Sequence, residues 1–194
     1  MALRSGWLKA PWRRAERRSH DPYWDFFIHT PPADRANSVI DVIRKAPEGN
    51  VFPTKADLHT PEVTTSHVKE MARYLGADLV GVTTLEGDDP GYPFAIVCAV
   101  RADDDPREAH GIGGQVPVQN GLFVTFVLSA WIRELGFRAT AAPSLDGTRL
   151  DGDWLAAAAK LGRLDRTGKL VTAEFGTRVH VADVIRTDLP LAPA

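Results

Sequence analysis

Phe94-Ala95-Ile96-Val97-Cys98-Ala99-Val100 is almost unbroken apolar sequence. A strand with one face in water alternates apolar and polar residues, whereas a strand without alternation is covered on both faces. The stretch therefore predicts a central strand with material packed above and below it. Upstream, Leu79-Val80-Gly81-Val82-Thr83 is a shorter run of the same kind, and Glu86-Gly87-Asp88-Asp89-Pro90-Gly91 between them is a turn cluster. Val68, Met71, Ala72 and Leu75 recur at helical spacing, with Gly76 where a helix ends. An earlier amphipathic helix is predicted from Asn37 to Ala46 on Val39, Val42, Ile43 and Ala46, stopped by Pro47-Glu48-Gly49-Asn50. Between these helices, Phe52 to Thr65 is rich in Pro and Thr and reads as irregular.

Downstream, an acidic loop (Asp103, Asp104, Asp105, Glu108) and the glycines Gly111, Gly113 and Gly114 lead to the longest helix. Its stripe of Leu122, Phe123, Phe126, Val127, Ala130, Trp131 and Leu135 predicts a span from about Asn120 to Leu135, ended by Gly136. Arg138 to Ala142 reads as a strand, and Asp153-Trp154 opens a short Ala-rich helix ending near Gly162. Val179, Val181 and Val184-Ile185 predict a last strand. Strands and helices are mixed, which gives an α/β or α+β sandwich; the expectation is α+β, a mixed sheet flanked by helices.

The 194 residues are 44% hydrophobic and 25% charged, which suits one domain (31–194) behind a basic, Trp-containing arm (1–30). Residues 1–20 hold six basic groups against Glu16, while the remainder holds 17 basic and 24 acidic groups. An arm with Trp7, Trp12 and Trp24 can stack on bases, but no nucleic-acid fold signature follows it. It is expected to wrap its own acidic body or a neighbouring subunit, with no nucleic acid as partner. No apolar run approaches the roughly 18 residues of a membrane span, and no apolar region follows the basic residues as in a secretory signal. One cysteine, Cys98, makes neither an internal disulfide nor an iron–sulfur cluster, so the expected compartment is the cytoplasm.

Six histidines show no HxxxH or HExxH spacing, so no metal site from protein side chains is expected. Gly111-Ile112-Gly113-Gly114 lacks both GxGxxG and GK[ST] and reads as a flexible loop. Ser129 lacks a GxSxG context, and Cys98, among apolar neighbours, reads as an inert small hydrophobe. The run from Leu161 to Arg178 carries three glycines, several cations and three threonines without helical or strand periodicity. A loop that long in a compact domain is a ligand-binding or a solvated surface segment. Its glycines admit close backbone approach, and its cations and hydroxyls can satisfy phosphate or amide groups.

The run "AKLGRLDRTGKLVTAEFGTRVHVADVIRTDLPL", ending at Leu191, resembles the corrinoid-binding region of reductive dehalogenases, above all in Glu174-Phe175-Gly176 and Thr187-Asp188-Leu189-Pro190-Leu191. Trp131 to Ala139 is similar to that family's helix end, and Tyr92 to Val100 to its strand entering the core. Epoxyqueuosine reductase shares the wider superfamily. The resemblance implies a nitroreductase-like fold that binds cobalamin with no protein ligand below cobalt. It implies cofactor contacts from Gly162, Arg163, Gly168, Lys169, Thr172, Glu174, Phe175, Gly176 and Arg178.

Two departures shape the expected function. Dehalogenases continue past "TDLPL" into a cysteine-rich ferredoxin-like segment, whereas this sequence has three residues after Leu191, so a separate electron donor is expected. They also place a catalytic tyrosine before the "IR" helix, and Gly111 to Phe126 holds none. Gln119 and Asn120 occupy that neighbourhood, and an amide is no general acid. These two and Tyr92 are the catalytic candidates. The resemblance thus implies an oxidoreductase, a stand-alone cobalamin protein acting on a small apolar substrate. The alternatives are a non-catalytic corrinoid carrier or processing protein, and the same fold working with flavin or with no cofactor. By analogy with nitroreductase-like folds, a homodimer is the expected assembly.

Overall fold

A computed structural model describes residue 40 and residues 42–85, 91–105, 112–141 and 150–193. In chain order the elements are α1 (Pro61–Tyr74), β1 (Leu79–Thr84), β2 (Phe94–Arg101), α2 (Ile112–Glu134), β3 (Ala139–Thr140), α3 (Gly152–Ala158), β4 (Arg163–Leu164), β5 (Leu170–Val171), β6 (Val179–Val181) and β7 (Ile185–Thr187). The basic arm, the turn cluster before Gly91, Gly111 and Ala142 lie outside the described residues.

β2 is the centre of the sheet. β1 runs along one edge, from Leu79 opposite Ala99 to Thr84 opposite Phe94. β6 and β7 share the other edge, and β3 adds to β7. Every ladder among the described residues is antiparallel, where a mixed sheet was expected. The link from β1 to β2 shows why: a parallel crossover needs a dozen or more residues, and Leu85 to Pro93 is too short for one.

Alternation within β2 feeds two cores. Ile96 and Cys98 face α1 and α2, meeting Val68, Ala72, Val124, Leu128 and Ile132. Ala95 and Val97 face Leu155, Ala156 and Ala159 of the α3 region, with Leu170 of the hairpin beside them. Helices thus flank the sheet on both sides, the expected α+β architecture. The second layer sits very close: a Cβ added to Gly81 would lie 2.7 Å from the Ala159 Cβ and 2.8 Å from its carbonyl oxygen.

Two helices begin earlier than expected. α1 starts at Pro61, inside the stretch that reads as irregular, because Thr60 is an N-cap: its Oγ1 accepts from the Val63 N–H at 3.5 Å. A cap hydroxyl followed by proline starts a helix, since proline lacks the N–H that would go unsatisfied. Backbone and Thr60 hydrogen bonds hold Glu62, in the same turn, below the usual carboxylate range. α2 starts at Ile112, so Gly113 and Gly114 belong to its first turn and Gln119 and Asn120 to its body. Glycine and Pro117 are poor helix formers, which hides that start. Of the helix expected from Asn37 to Ala46, residues 42–45 are helical, and Val42 is 68% exposed rather than part of a buried stripe. No helix among the described residues is long and apolar enough to cross a membrane.

Candidate functional site

The stretch from Leu161 to Arg178, read from sequence as a loop, is a hairpin followed by a second tight turn. β4 and β5 pair Arg163 with Val171 and Leu164 with Leu170. Asp165 builds the turn between them: its Oδ1 accepts from Thr167 N (2.7 Å), Thr167 Oγ1 (2.6 Å) and Lys169 N (3.1 Å). Thr172 and Gly176 then exchange backbone hydrogen bonds of 2.9 and 3.0 Å, and Thr172 Oγ1 accepts from Phe175 N at 3.0 Å. Two-residue strands carry no readable alternation. The available signal was the turn chemistry, an Asp at the start and glycines for left-handed backbone.

The residues matched to the corrinoid region all lie on this unit. Gly162 is pressed against the Val171 carbonyl, so no side chain fits there. Thr172 is buried, and Phe175 packs against the core under Ala95 and Val97. Arg163, Gly168, Lys169, Glu174 and Arg178 are exposed. Gly168 (φ +80°) and Gly176 (φ +62°) border open space. Lys169 is engaged by Asp153 at 2.9 Å, whereas the Arg163 and Arg178 guanidiniums make no ion pair among the described residues. The unit's turn N–H groups are largely satisfied internally by Asp165 and Thr172. The groups the unit leaves available to a ligand are therefore the exposed Arg163 and Arg178 guanidiniums, whose N–H forks suit amide and phosphate oxygens.

A second feature lies on the other side of the sheet. A cleft of about 370 Å³ runs along α2, lined by Leu122, Thr125, Phe126, Ser129 and Arg133, and closed by the 43–48 segment, Ala141 and Asp183. No sequence-matched cofactor residue lines it. At one end Arg133 Nη1 donates to the Ala139 carbonyl at 2.8 Å. Burial lowers the guanidinium's pKa; Glu48, Glu134 and Tyr92 act to raise it. Glu48 accepts a hydrogen bond from Thr140 Oγ1. These lining side chains are brought together over long sequence distances, and no motif announces them.

None of the catalytic candidates lines the cleft or belongs to the hairpin unit. Tyr92 precedes β2 and lies between Arg138 and Arg186, whose guanidinium carbons are 5.3 and 5.4 Å from its ring centroid. Arg138 is fixed by Asp188, which takes its N–H at 2.6 Å and its Nε at 3.0 Å. Gln119 is half-buried and Asn120 exposed on α2, and neither lines the cleft. Cys98 is fully buried, and burial pushes its thiol up to about 12. Among the described residues no three His, Cys, Asp or Glu side chains converge as metal ligands.

No protein-family model matches the sequence, and no curated protein matches it. Solved structures do match. A catabolic reductive dehalogenase, NpRdhA, superposes with a TM-score of 0.71 at 24% identity, over 84% of this chain and 24% of that one. A reductive dehalogenase structure described as suggesting a mechanism for B12-dependent dehalogenation gives 0.72 at 24% identity, over 84% and 25%. An epoxyqueuosine reductase matches more weakly, at 0.49 and 16% identity, over 68% and 47%. The chain spans about a quarter of the dehalogenases' length. Over that quarter its fold is the α+β fold of a reductive dehalogenase.

Proposed function

We propose that this chain is a corrinoid-binding domain of oxidoreductase type, in which Arg163 and Arg178 hold polar groups of the cofactor against the hairpin. The observation that carries the reading is a pair of exposed guanidiniums on one unit with two left-handed glycines, Gly168 and Gly176, that have no neighbouring atoms within 4 Å of an added Cβ. The fold shared with proteins described as performing B12-dependent dehalogenation supports it. A bound cobalamin supplies the redox chemistry, and the protein supplies binding, orientation and exclusion of water. The rigid hairpin gives the two arginines fixed origins, because Asp153 anchors it to α3 through Lys169 and Leu170. Electrons come from iron–sulfur or flavin groups outside these 194 residues, and the substrate is a small apolar molecule.

The test is an anaerobic titration of the purified protein with cob(II)alamin, followed by its visible spectrum. A saturable spectral change at one cobalamin per chain supports the reading. An unchanged spectrum, or a protein that purifies with flavin bound, overturns it. With a chemical reductant and a small halogenated substrate, turnover distinguishes the oxidoreductase from a corrinoid carrier.

A further inference from the structure

We propose that the cleft along α2 is a binding site for a small organic cation, an apolar body of about ring size with a protonated nitrogen seated on Asp183. None of the hairpin residues lines the cleft, so this inference stands apart from the corrinoid reading.

Size and shape come first. About 370 Å³ falls at the lower end of the ~300–1,000 Å³ typical of small-molecule sites. Leu122 and Phe126 on α2, facing Ile43 and Ala141, give it apolar walls.

The position of Asp183 follows from the sheet. Val181 pairs with Ala99 and Ile185 with Ile96, so three residues, Ala182 to Val184, stand opposite two, Val97 and Cys98. That extra residue is a β-bulge, a device that re-aims a side chain out of strict alternation. Ala182 stays in the core on the α2 side and Val184 in the opposite core, which leaves Asp183 to line the cleft. The strand and helix are close here: a Cβ added to Gly121 would lie 3.0 Å from the Ala182 Cβ. Asp183 therefore sits near the Leu122–Thr125 level of α2, and Arg133 marks the far end.

The hydrogen-bonding surface between them accepts. Thr125 Oγ1 donates to the Gly121 and Leu122 carbonyls at 3.1 and 3.2 Å, and Ser129 Oγ to the Thr125 and Phe126 carbonyls at 2.7 and 3.0 Å. A hydroxyl has one proton, so towards the cleft each oxygen can only accept. Asp183 adds a carboxylate, half-buried and without a hydrogen bond or ion pair among the described residues. Arg133 is committed to the Ala139 carbonyl and sits in the field of Glu48, while Arg44 is exposed. At the Asp183 end, away from Arg133, a guest with N–H donors and positive charge satisfies this wall, whereas a carboxylate there would face acceptors and like charge.

The test uses the full chain at pH 7 and low salt, with three probes sharing one ring: 2-phenylethylamine, 2-phenylethanol and phenylacetate, titrated by NMR. The amine is expected to saturate at one site, to bind at least fivefold more tightly than the alcohol, and to displace to resonances of Thr125 and Phe126; phenylacetate is expected not to bind. Asp183→Asn is expected to weaken the amine at least tenfold. Thr125→Val, nearly isosteric, is expected to weaken it at least threefold, so the test survives if the Asp183 variant fails to fold. Arg163→Ala combined with Arg178→Ala leaves amine binding unchanged, whatever it does to cobalamin. The inference is overturned if phenylacetate binds as well as the amine, if the amine does not saturate, or if Asp183→Asn and Thr125→Val bind it like the native protein.

Discussion

The Asp153 carboxylate joins α3 to the hairpin through Leu170: its Oδ1 accepts the Leu170 N–H at 3.0 Å, and its other oxygen takes Lys169 Nζ at 2.9 Å. The two contacts have different worth. Lys169 is 52% exposed, so its ion pair contributes at most about 1 kcal/mol. The bond to Leu170 is charge-assisted and partly buried, and losing it strands an N–H above the core, a cost of about 1–3 kcal/mol. Asp153→Ala is therefore expected to lower the urea midpoint clearly more than Lys169→Met. Equal effects of the two substitutions would show that the ion pair, not the backbone bond, holds the hairpin.

Gly81 is expected to be intolerant for a packing reason. The Cβ of Gly81→Ala would meet the Ala159 Cβ at 2.7 Å and the Ala159 carbonyl at 2.8 Å, and backbone at the end of α3 cannot swing aside as a flexible side chain can. Overpacking of this kind costs about 1–3 kcal/mol. Equilibrium unfolding of Gly81→Ala should show that loss without a change in the denaturant slope; a variant as stable as the native chain would mean the two layers are not pressed together here.

Cys98 gives a pH dependence with a definite sign. Burial raises its thiol from about 9 to about 12 in the folded chain. Between those values the unfolded chain has released a proton that the folded chain keeps, so stability is intact below pH 9 and falls as pH rises towards 12, by about 1.4 kcal/mol per pH unit. Cys98→Ala removes this contribution, and its stability should decline less steeply than the native protein's from pH 9 to 11. In the native protein at pH 8 a thiol reagent should label Cys98 at least about a hundredfold more slowly than in urea. Parallel pH profiles for the two proteins would contradict the assignment.

Those same neighbours of Cys98 explain what could be read in the sequence. β2 was legible because both its faces are covered, so its composition alone marks it as central. α3 was legible from its alanines. The start of α1 was missed because its first turn, Pro61 to Thr64, is mostly exposed and carries no apolar period, although Thr60-Pro61 held the cap signal. The hairpin was missed because strands of two residues have no period at all. The cleft was unreadable for a deeper reason. Glu48, which serves as a helix stop in sequence, meets Thr140 across 92 positions. Asp183 lines the cleft because of one surplus residue in a ladder, which no local pattern encodes. The residues matched by resemblance to a corrinoid-binding region, in contrast, form one segment in sequence and fold as one unit, because the turn contacts within it are local.

Binding of cob(II)alamin by the native chain and by the Arg163→Ala, Arg178→Ala double variant, compared under anaerobic conditions by spectral titration, bears most directly on the proposed role of the hairpin. Each lost charge-assisted contact should cost upwards of 1 kcal/mol, so the double variant is expected to bind about thirtyfold more weakly while unfolding like the native protein. Affinities within twofold of each other, or native protein that does not bind at all, would mean that these arginines serve only the surface on which they stand.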